Sequence, residues 1–452
     1  MSKHRLLWSP SEEDVENANM MRFIEFVSEK RGIEFSGYFD LYDWSVSDIP
    51  AFWSDIWEFA NVVASVGYEQ VVDDLGRFPG ARWFVGARMN FAENLMRYSD
   101  ERTAIVFRDE LGDRREYTYR DLHLEVARFR EYLKELGVGP GDRVVSYMPN
   151  IPETVFAMLA ATSLGAAWSS TGTELGPTAV VDRLGQLEPK VLITVDQSVY
   201  KGRVNDLRSN VAKIAGSIPS LRSVLVIERF RERADVSGIP KAVSASEVLS
   251  GRGQAESVRF EQVESNSPVY IMFSSGTTGK PKCMVQSVAG VLVNHMKELI
   301  LHTDLKREDA LIYITSPSWM MWNWMVSSLA VGSKLVLFDG NPLYPDWRTM
   351  WRIAEEEGVT VFGCSASYIY AIRGANAEPG KEFDLWRLRE VSQTGSPLSA
   401  DGFAWVYEHV KSDLWFNSIS GGTDINGCFF AGSPTLPVYA GELQSPALGM
   451  KV

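Results

Sequence analysis

The sequence predicts an α/β protein with mostly parallel sheet, and three observations predict it. Apolar patterns of helical and strand period alternate from Thr118 onward. In the second half, six short apolar runs are bounded by turn residues. The 452 residues are 45% hydrophobic and 23% charged, an ordinary globular composition with length enough for at least two domains.

Residues 1 to about 100 read as a helical, aromatic-rich N-terminal cap packed on the main body, with Trp44, Phe52, Trp53, Trp57 and Phe59 irregularly spaced and Pro79-Gly80 marking a turn. Leu122, Val126, Phe129 and Leu133 then recur at helical spacing until Gly137 stops the helix. Residues 143–148 read as a short buried strand and 152–164 as a second helix. The stretch 229–266, rich in charge, Gly and Ser, has weak periodicity and reads as a crossing between two lobes. No internal repeat or low-complexity tract is present. In the second lobe the strand candidates are 269–273, 311–315, 334–338, 359–362, 390–393 and 414–416. Small or polar loops follow five of them: 274–282, 316–318, 363–367, 394–399 and 418–424. In one parallel sheet these loops share the carboxyl edge, where open α/β sheets bind ligands, so a single crevice is expected to collect all five.

Composition removes several function classes. With 45 Lys and Arg against 58 Asp and Glu, the net charge of -13 argues against nucleic acid as a partner. Glu12, Glu13, Asp14 and Glu16 interrupt the N-terminus before a signal-peptide core could form, and no apolar run approaches the roughly eighteen residues of a membrane span. Small-molecule substrates, no membrane and a cytoplasmic location are the expectation. Cys283, Cys364 and Cys428 lack ligand spacing, which fits a reduced compartment better than disulfides or a zinc site.

The segment Phe273-Ser274-Ser275-Gly276-Thr277-Thr278-Gly279-Lys280-Pro281-Lys282 follows a buried strand and is expected to precede a helix directly, the one bearing Val288, Val291, Leu292, His295, Met296 and Leu299. Its glycines permit a tight backbone, its hydroxyls and amides supply donors, and its lysines supply charge, as a polyphosphate requires. A Walker A loop would need Gly at Ser274 and Ser or Thr at Pro281, so this is a different cradle.

This loop resembles the signature loop of the acyl-adenylate-forming enzymes. The segments ARWFVGARMNFAENLM at 81–96, SWMMWNWMVSSLAVG at 318–332, TGSPLS at 394–399 and SISGGTDINGCF at 418–429 are similar to the acetoacetyl-CoA synthetases among them, and the likeness spans nearly the whole chain. The resemblance implies a large adenylate-forming domain over 101–452 with two mostly parallel sheets flanked by helices, and a small β-barrel element. It implies ATP, Mg2+ and coenzyme A (CoA), with acetoacetate activated as an acyl-adenylate and then passed to the CoA thiol. A carboxylate attacking an anionic phosphorus needs preorganised donors, lysines and a metal rather than a protein nucleophile.

Carried onto this sequence, the resemblance implies that Ser275, Gly276, Thr277, Thr278 and Gly279 wrap the terminal phosphates, with Lys280 as charge partner and Lys282 bracing the loop. Thr423 matches the hydroxyl that touches the α-phosphate; with Thr278 and Lys280 it makes up the expected catalytic set. Asp424 matches the carboxylate that holds Mg2+, one methylene shorter than the usual glutamate. Gly395, Ser396 and Pro397 match the adenine segment, with Ser418 and Gly422 also on the nucleotide. The acyl wall is expected from Trp319, Met320, Met321, Asn323, Thr394 and Gly421. Gly421 replaces the bulky tryptophan of acetate-specific relatives and so leaves volume, and Asn323 offers an amide to read the 3-keto oxygen. CoA phosphates are expected at Arg183, Lys201 and Arg203.

The chain stops at Val452, in what resembles the strand before the family's YxTGD segment. The ribose aspartate, the hinge and the small domain with its catalytic lysine are therefore expected outside these residues, and these residues alone are expected to be slow or inactive. Gln286 stands where relatives carry histidine, and Ser318 where glycine is usual. Three other readings stay open: a synthetase for acetate, propionate or butyrate; a non-catalytic nucleotide-binding fragment; and a serine hydrolase, because Gly363-Cys364-Ser365-Ala366-Ser367 nearly spells GxSxG.

Overall fold

The structure is a computed structural model that describes residues 5–253, 258–274 and 279–452. Its frame is two seven-stranded sheets. The first runs in the order Ala242–Ser244, Ser223–Ile227, Val191–Val195, Arg143–Tyr147, Ala167–Thr171, Pro268–Ser274, Lys282–Ser287, parallel throughout except for the last pair. Every residue of Val191–Val195 and Ser223–Ile227 is buried, the continuous apolar run expected of strands covered on both faces. The second sheet runs Trp415–Ser418, Glu390–Thr394, Val361–Ser365, Ala310–Tyr313, Lys334–Asp339, Thr103–Asp109, Arg114–Thr118, again parallel except for the final hairpin.

Side chains of the second sheet alternate between two cores, as a period of two demands. Leu311, Tyr313, Leu335 and Leu337 face the core shared with the first sheet. Ile312, Val336 and Phe338 face an outer core that the helices Arg348–Glu356, Ala366–Gly374 and Ala400–His409 help to build. The helix Pro152–Ser163 belongs to the shared core and is buried at every position but Glu153. Its hydroxyls are satisfied locally: Thr154, Thr162 and Ser163 donate to the carbonyls of Pro149, Met158 and Ala160. The helices Asn19–Arg31, Tyr38–Ser47 and Ile49–Phe59 add Phe23, Leu41 and Phe52 to that core.

Three expectations need correction. The strand before the phosphate loop is not in the sheet that carries the other four loops. It lies in the first sheet and returns as an antiparallel strand, with Ser274 opposite Lys282, so the loop closes a hairpin and the helix Val288–Lys297 begins only after it. Lys282–Ser287 is an edge strand with no buried residue, which is why no apolar pattern announced it. After Phe59 the N-terminal region turns to the short strands Ala64–Val66, Gln70–Val72 and Trp83–Val85 rather than continuing as helix. Among the described residues no sheet closes into a barrel; small open sheets of two or three strands stand in its place. No described helix is long and apolar enough to cross a membrane.

Candidate active site

The carboxyl ends of the second sheet border two cavities of ≈ 590 and ≈ 1080 Å³, and across the larger one they face Asn150, Glu174 and Tyr200 of the first-sheet lobe. Both are bordered by Trp319, Met321, Thr394, Gly395 and Ser396, so they form one bent cleft. The loops after Tyr313, Ser365, Thr394 and Ser418 all reach it. Four of the five loops expected at a single crevice thus line it, while the described residues of the fifth, 274–282, do not.

The described ends of the phosphate loop, Ser274 and Gly279 to Lys282, line neither cavity. Ser275, Gly276, Thr277 and Thr278 lie outside the described residues; Gly279 and Lys280 are exposed, and Gly279 has φ 133°. At the smaller cavity the hairpin Ser420–Gly422 and Gly427–Ala431 turns through Thr423 and Asp424, where the Asn426 N–H donates to the Thr423 carbonyl at 3.2 Å. Gln286, on the strand that follows the phosphate loop, ties that strand to this turn: its amide donates to the Thr423 carbonyl at 3.3 Å and reaches the Asp424 carbonyl at 3.5 Å. Asp424 is exposed, and Gly422 and Thr423 line the smaller cavity.

Gly395, with φ 91°, Ser396 and Pro397 leave the strand Glu390–Thr394 along the cleft. The Gln393 amide donates to the carbonyls of Thr394 and Ser396 and fixes this turn. Ser418 borders the smaller cavity, but its hydroxyl donates to Gln393 Oε1 at 2.9 Å. Trp319, Met320 and Met321 line the cleft, and Trp319 is 66% exposed. Asn323 lines neither large cavity: it is buried, with its amide on the Met272 sulfur at 3.3 Å, so the expected reader of the keto oxygen faces the core. Trp322 and Trp324 share that core. Ser365 caps its helix by accepting from the Tyr368 N–H, an ordinary N-cap role rather than that of a hydrolase nucleophile.

Gly421 lines the smaller cavity, but its missing side chain is not directed into it. A Cβ there would lie 2.1 Å from the Gly427 carbonyl oxygen and 2.9 Å from Cys428 Cα, inside the paired strand rather than in the cleft. The glycine is required by strand approach. Ser318 acquires a reason too: its Oγ accepts from the Gly172 N–H at 2.7 Å, tying the Trp319 loop to the first sheet.

Of the CoA candidates, Arg183 lies half-buried on the helix Pro177–Leu184 and donates to the Ala179 carbonyl. Lys201 and Arg203 are exposed at the turn joining Gln197–Tyr200 to Arg203–Asp206, beside Tyr200, which lines the larger cavity. None of the three lines either cavity itself.

Behind the Gly421 hairpin is a buried charged layer that local sequence could not show. Glu298 accepts from the Cys428 N–H at 2.8 Å and stands 3.6 Å from Lys297. His302 donates through Nδ1 to the Gly432 carbonyl at 2.7 Å and accepts the Leu448 N–H through Nε2 at 3.2 Å. Burial, followed by the nearby Lys297, lowers its pKa to about 3. At the other end of the cleft Asp339 is pushed up to about 7, chiefly by burial, despite Arg229 at 2.8 Å. Burial raises all three cysteine thiols, so none is poised as a thiolate.

A cleft at the carboxyl ends of a mostly parallel sheet, bordered by the turns after Thr394 and Ser418, is where open α/β enzymes bind nucleotides and other small ligands. Residues 91–421 match the AMP-binding enzyme family, and residues 38–95 the acetyl-coenzyme A synthetase N-terminus. Acetoacetyl-CoA synthetase of Gallus gallus is 39% identical over 99% of this chain and 68% of its own length; the Rhizobium meliloti (strain 1021) protein is 42% identical over 100% and 69%. The solved structure of acetoacetyl-CoA synthetase from Streptomyces lividans matches with a TM-score of 0.93 at 40% identity, covering 98% of this chain and 69% of that one. The chain belongs to the AMP-binding enzyme family, within its acetoacetyl-CoA synthetases, and spans about two thirds of these relatives' length.

Proposed function

We propose that the protein ligates acetoacetate to coenzyme A at the expense of ATP. An acetoacetate oxygen bonds to the α-phosphorus as the bond to pyrophosphate breaks. The CoA sulfur then bonds to the acyl carbon as AMP leaves, and the thiol proton passes to solvent. The observation that carries this reading is the near-complete match, in sequence and in fold, to acetoacetyl-CoA synthetases.

In this reading the residues from Ser275 to Lys280 hold the terminal phosphates, Thr423 touches the α-phosphate, and the turn from Gly395 to Pro397 lies along the base. Trp319, Met320, Met321 and Thr394 border the acyl group, while Arg183, Lys201 and Arg203 meet the CoA phosphates. Among the described residues no group of three or more His, Cys, Asp or Glu could hold a metal by itself. A lone exposed carboxylate at Asp424 fits Mg2+, which takes few protein ligands and completes its shell with phosphate and water. Bound there, the ion would neutralise triphosphate charge. The division into a cap over 1–100 and a nucleotide-binding body over 101–452, and a cytoplasmic location, belong to the same proposal; the described cysteines are all free.

The test is acid-dependent exchange of labelled pyrophosphate into ATP by the full-length protein. Acetoacetate is expected to give the highest kcat/KM, above butyrate, propionate and acetate. Preference for acetate would refute the substrate assignment, and no exchange with any acid, alongside measurable ATP binding, would favour a binding role.

A further inference from the structure

A carboxylate outside the nucleotide site joins the two lobes at the mouth of the larger cavity. Glu110 lies in the turn between Thr103–Asp109 and Arg114–Thr118. Its Oε1 accepts the Gly202 N–H at 2.7 Å, and its Oε2 accepts the Asn341 N–H at 2.6 Å. The Asn341 amide in turn donates to the Tyr200 hydroxyl at 3.0 Å. Gly202 belongs to the hairpin of the first lobe, whereas Asn341 follows the second-sheet strand Lys334–Asp339, so one side chain fixes two segments far apart in sequence. The backbone is shaped around it. A Cβ on Gly340 would lie 2.6 Å from Glu110 Oε2, and one on Gly202 would lie 2.2 Å from the Tyr344 hydroxyl.

Tyr200 and Gly340 are walls of the larger cavity, and Lys201 and Arg203 flank Gly202 with exposed side chains. We infer that Glu110 is a positioning residue for the thiol substrate: it locks the Lys201–Arg203 turn over the cavity mouth, so that two cations await the phosphates of CoA at a fixed place. The inference rests on the proposed function, in which this hairpin meets CoA. A carboxylate is required because both oxygens accept from backbone N–H groups; a glutamine would turn an NH2 toward one of them.

The experiment measures thioester formation and acetoacetate-dependent pyrophosphate exchange separately in the full-length protein. Glu110→Gln is expected to raise the KM for CoA about tenfold, the loss of one charge-assisted bond, while exchange stays within about twofold of wild type. The gentler Asn341→Ala, which removes the bond to Tyr200 and the acceptor of the Leu343 N–H but keeps the backbone bond to Glu110, is expected to move KM the same way by less, and it serves if Glu110→Gln does not fold. Lys201→Ala is the reference. If it raises the KM for CoA and neither bracket variant does, the inference is overturned and the function stands. If none of the three moves that KM, the hairpin is not the CoA wall and the inference falls with that assignment. Equal losses in exchange and thioester formation in the bracket variants would mark a merely structural role and also overturn it. Absence of exchange in the wild type would overturn the function itself.

Discussion

Replacing Gly421 by alanine separates two reasons for a glycine in the acyl wall. The new Cβ would stand 2.1 Å from the Gly427 carbonyl oxygen. An ordinary C···O contact is about 3.3 Å, so the strands Ser420–Gly422 and Gly427–Ala431 must part by roughly 1.2 Å. The partner cannot retreat freely, because Glu298 and Asn294 lie directly behind Gly427. Overpacking of this kind costs about 1–3 kcal/mol. Urea unfolding of wild type and Gly421→Ala is expected to show a loss in that range, and kcat/KM should fall for acetoacetate and acetate alike, since the hairpin shifts without the cavity being filled. Stability within about 0.5 kcal/mol of wild type, together with a switch of preference toward acetate, would refute the argument and show that a side chain at 421 points into the cleft.

Two further outcomes follow from the same geometry. Asp424→Asn should raise the Mg2+ concentration for half-maximal exchange about tenfold, the equivalent of one lost ionic contact of about 1.4 kcal/mol; a magnesium titration of exchange measures it, and an unchanged midpoint would release Asp424 from the metal. His302 has a pKa of about 3 against an ordinary 6.5, so the unfolded chain binds the extra proton first, and stability is lost as pH falls below about 6.5 toward 3. Denaturant unfolding from pH 7 to pH 4 should therefore show a shallower decline for His302→Asn than for wild type, whatever the variant loses at neutral pH.

Much of the second sheet was legible because its strands are short apolar runs closed by small loops, and a parallel sheet puts those loops on one edge. The edge strand Lys282–Ser287 was not, since its half-wet side chains carry no pattern. Thr103–Asp109 pairs with Lys334–Asp339 across more than two hundred residues, a partnership that no local window contains. The inward direction of Asn323 was not legible either, because a stretch buried as completely as 322–326 gives no period that would separate cavity wall from core. At Gly421 the residue type was informative, but the direction of its missing Cβ depends on a strand that only the folded hairpin supplies. The Glu110 bracket is made of side-chain to backbone bonds over 92 and 231 residues, invisible without the fold.

The helix Pro152–Ser163, enclosed on nearly every side, acts as a shared keel. Because its packed interior compresses so little, the lobes on either side cannot work as jaws that bite and release. The turns at the strand tips are thus carried on a hull that stays still beneath them.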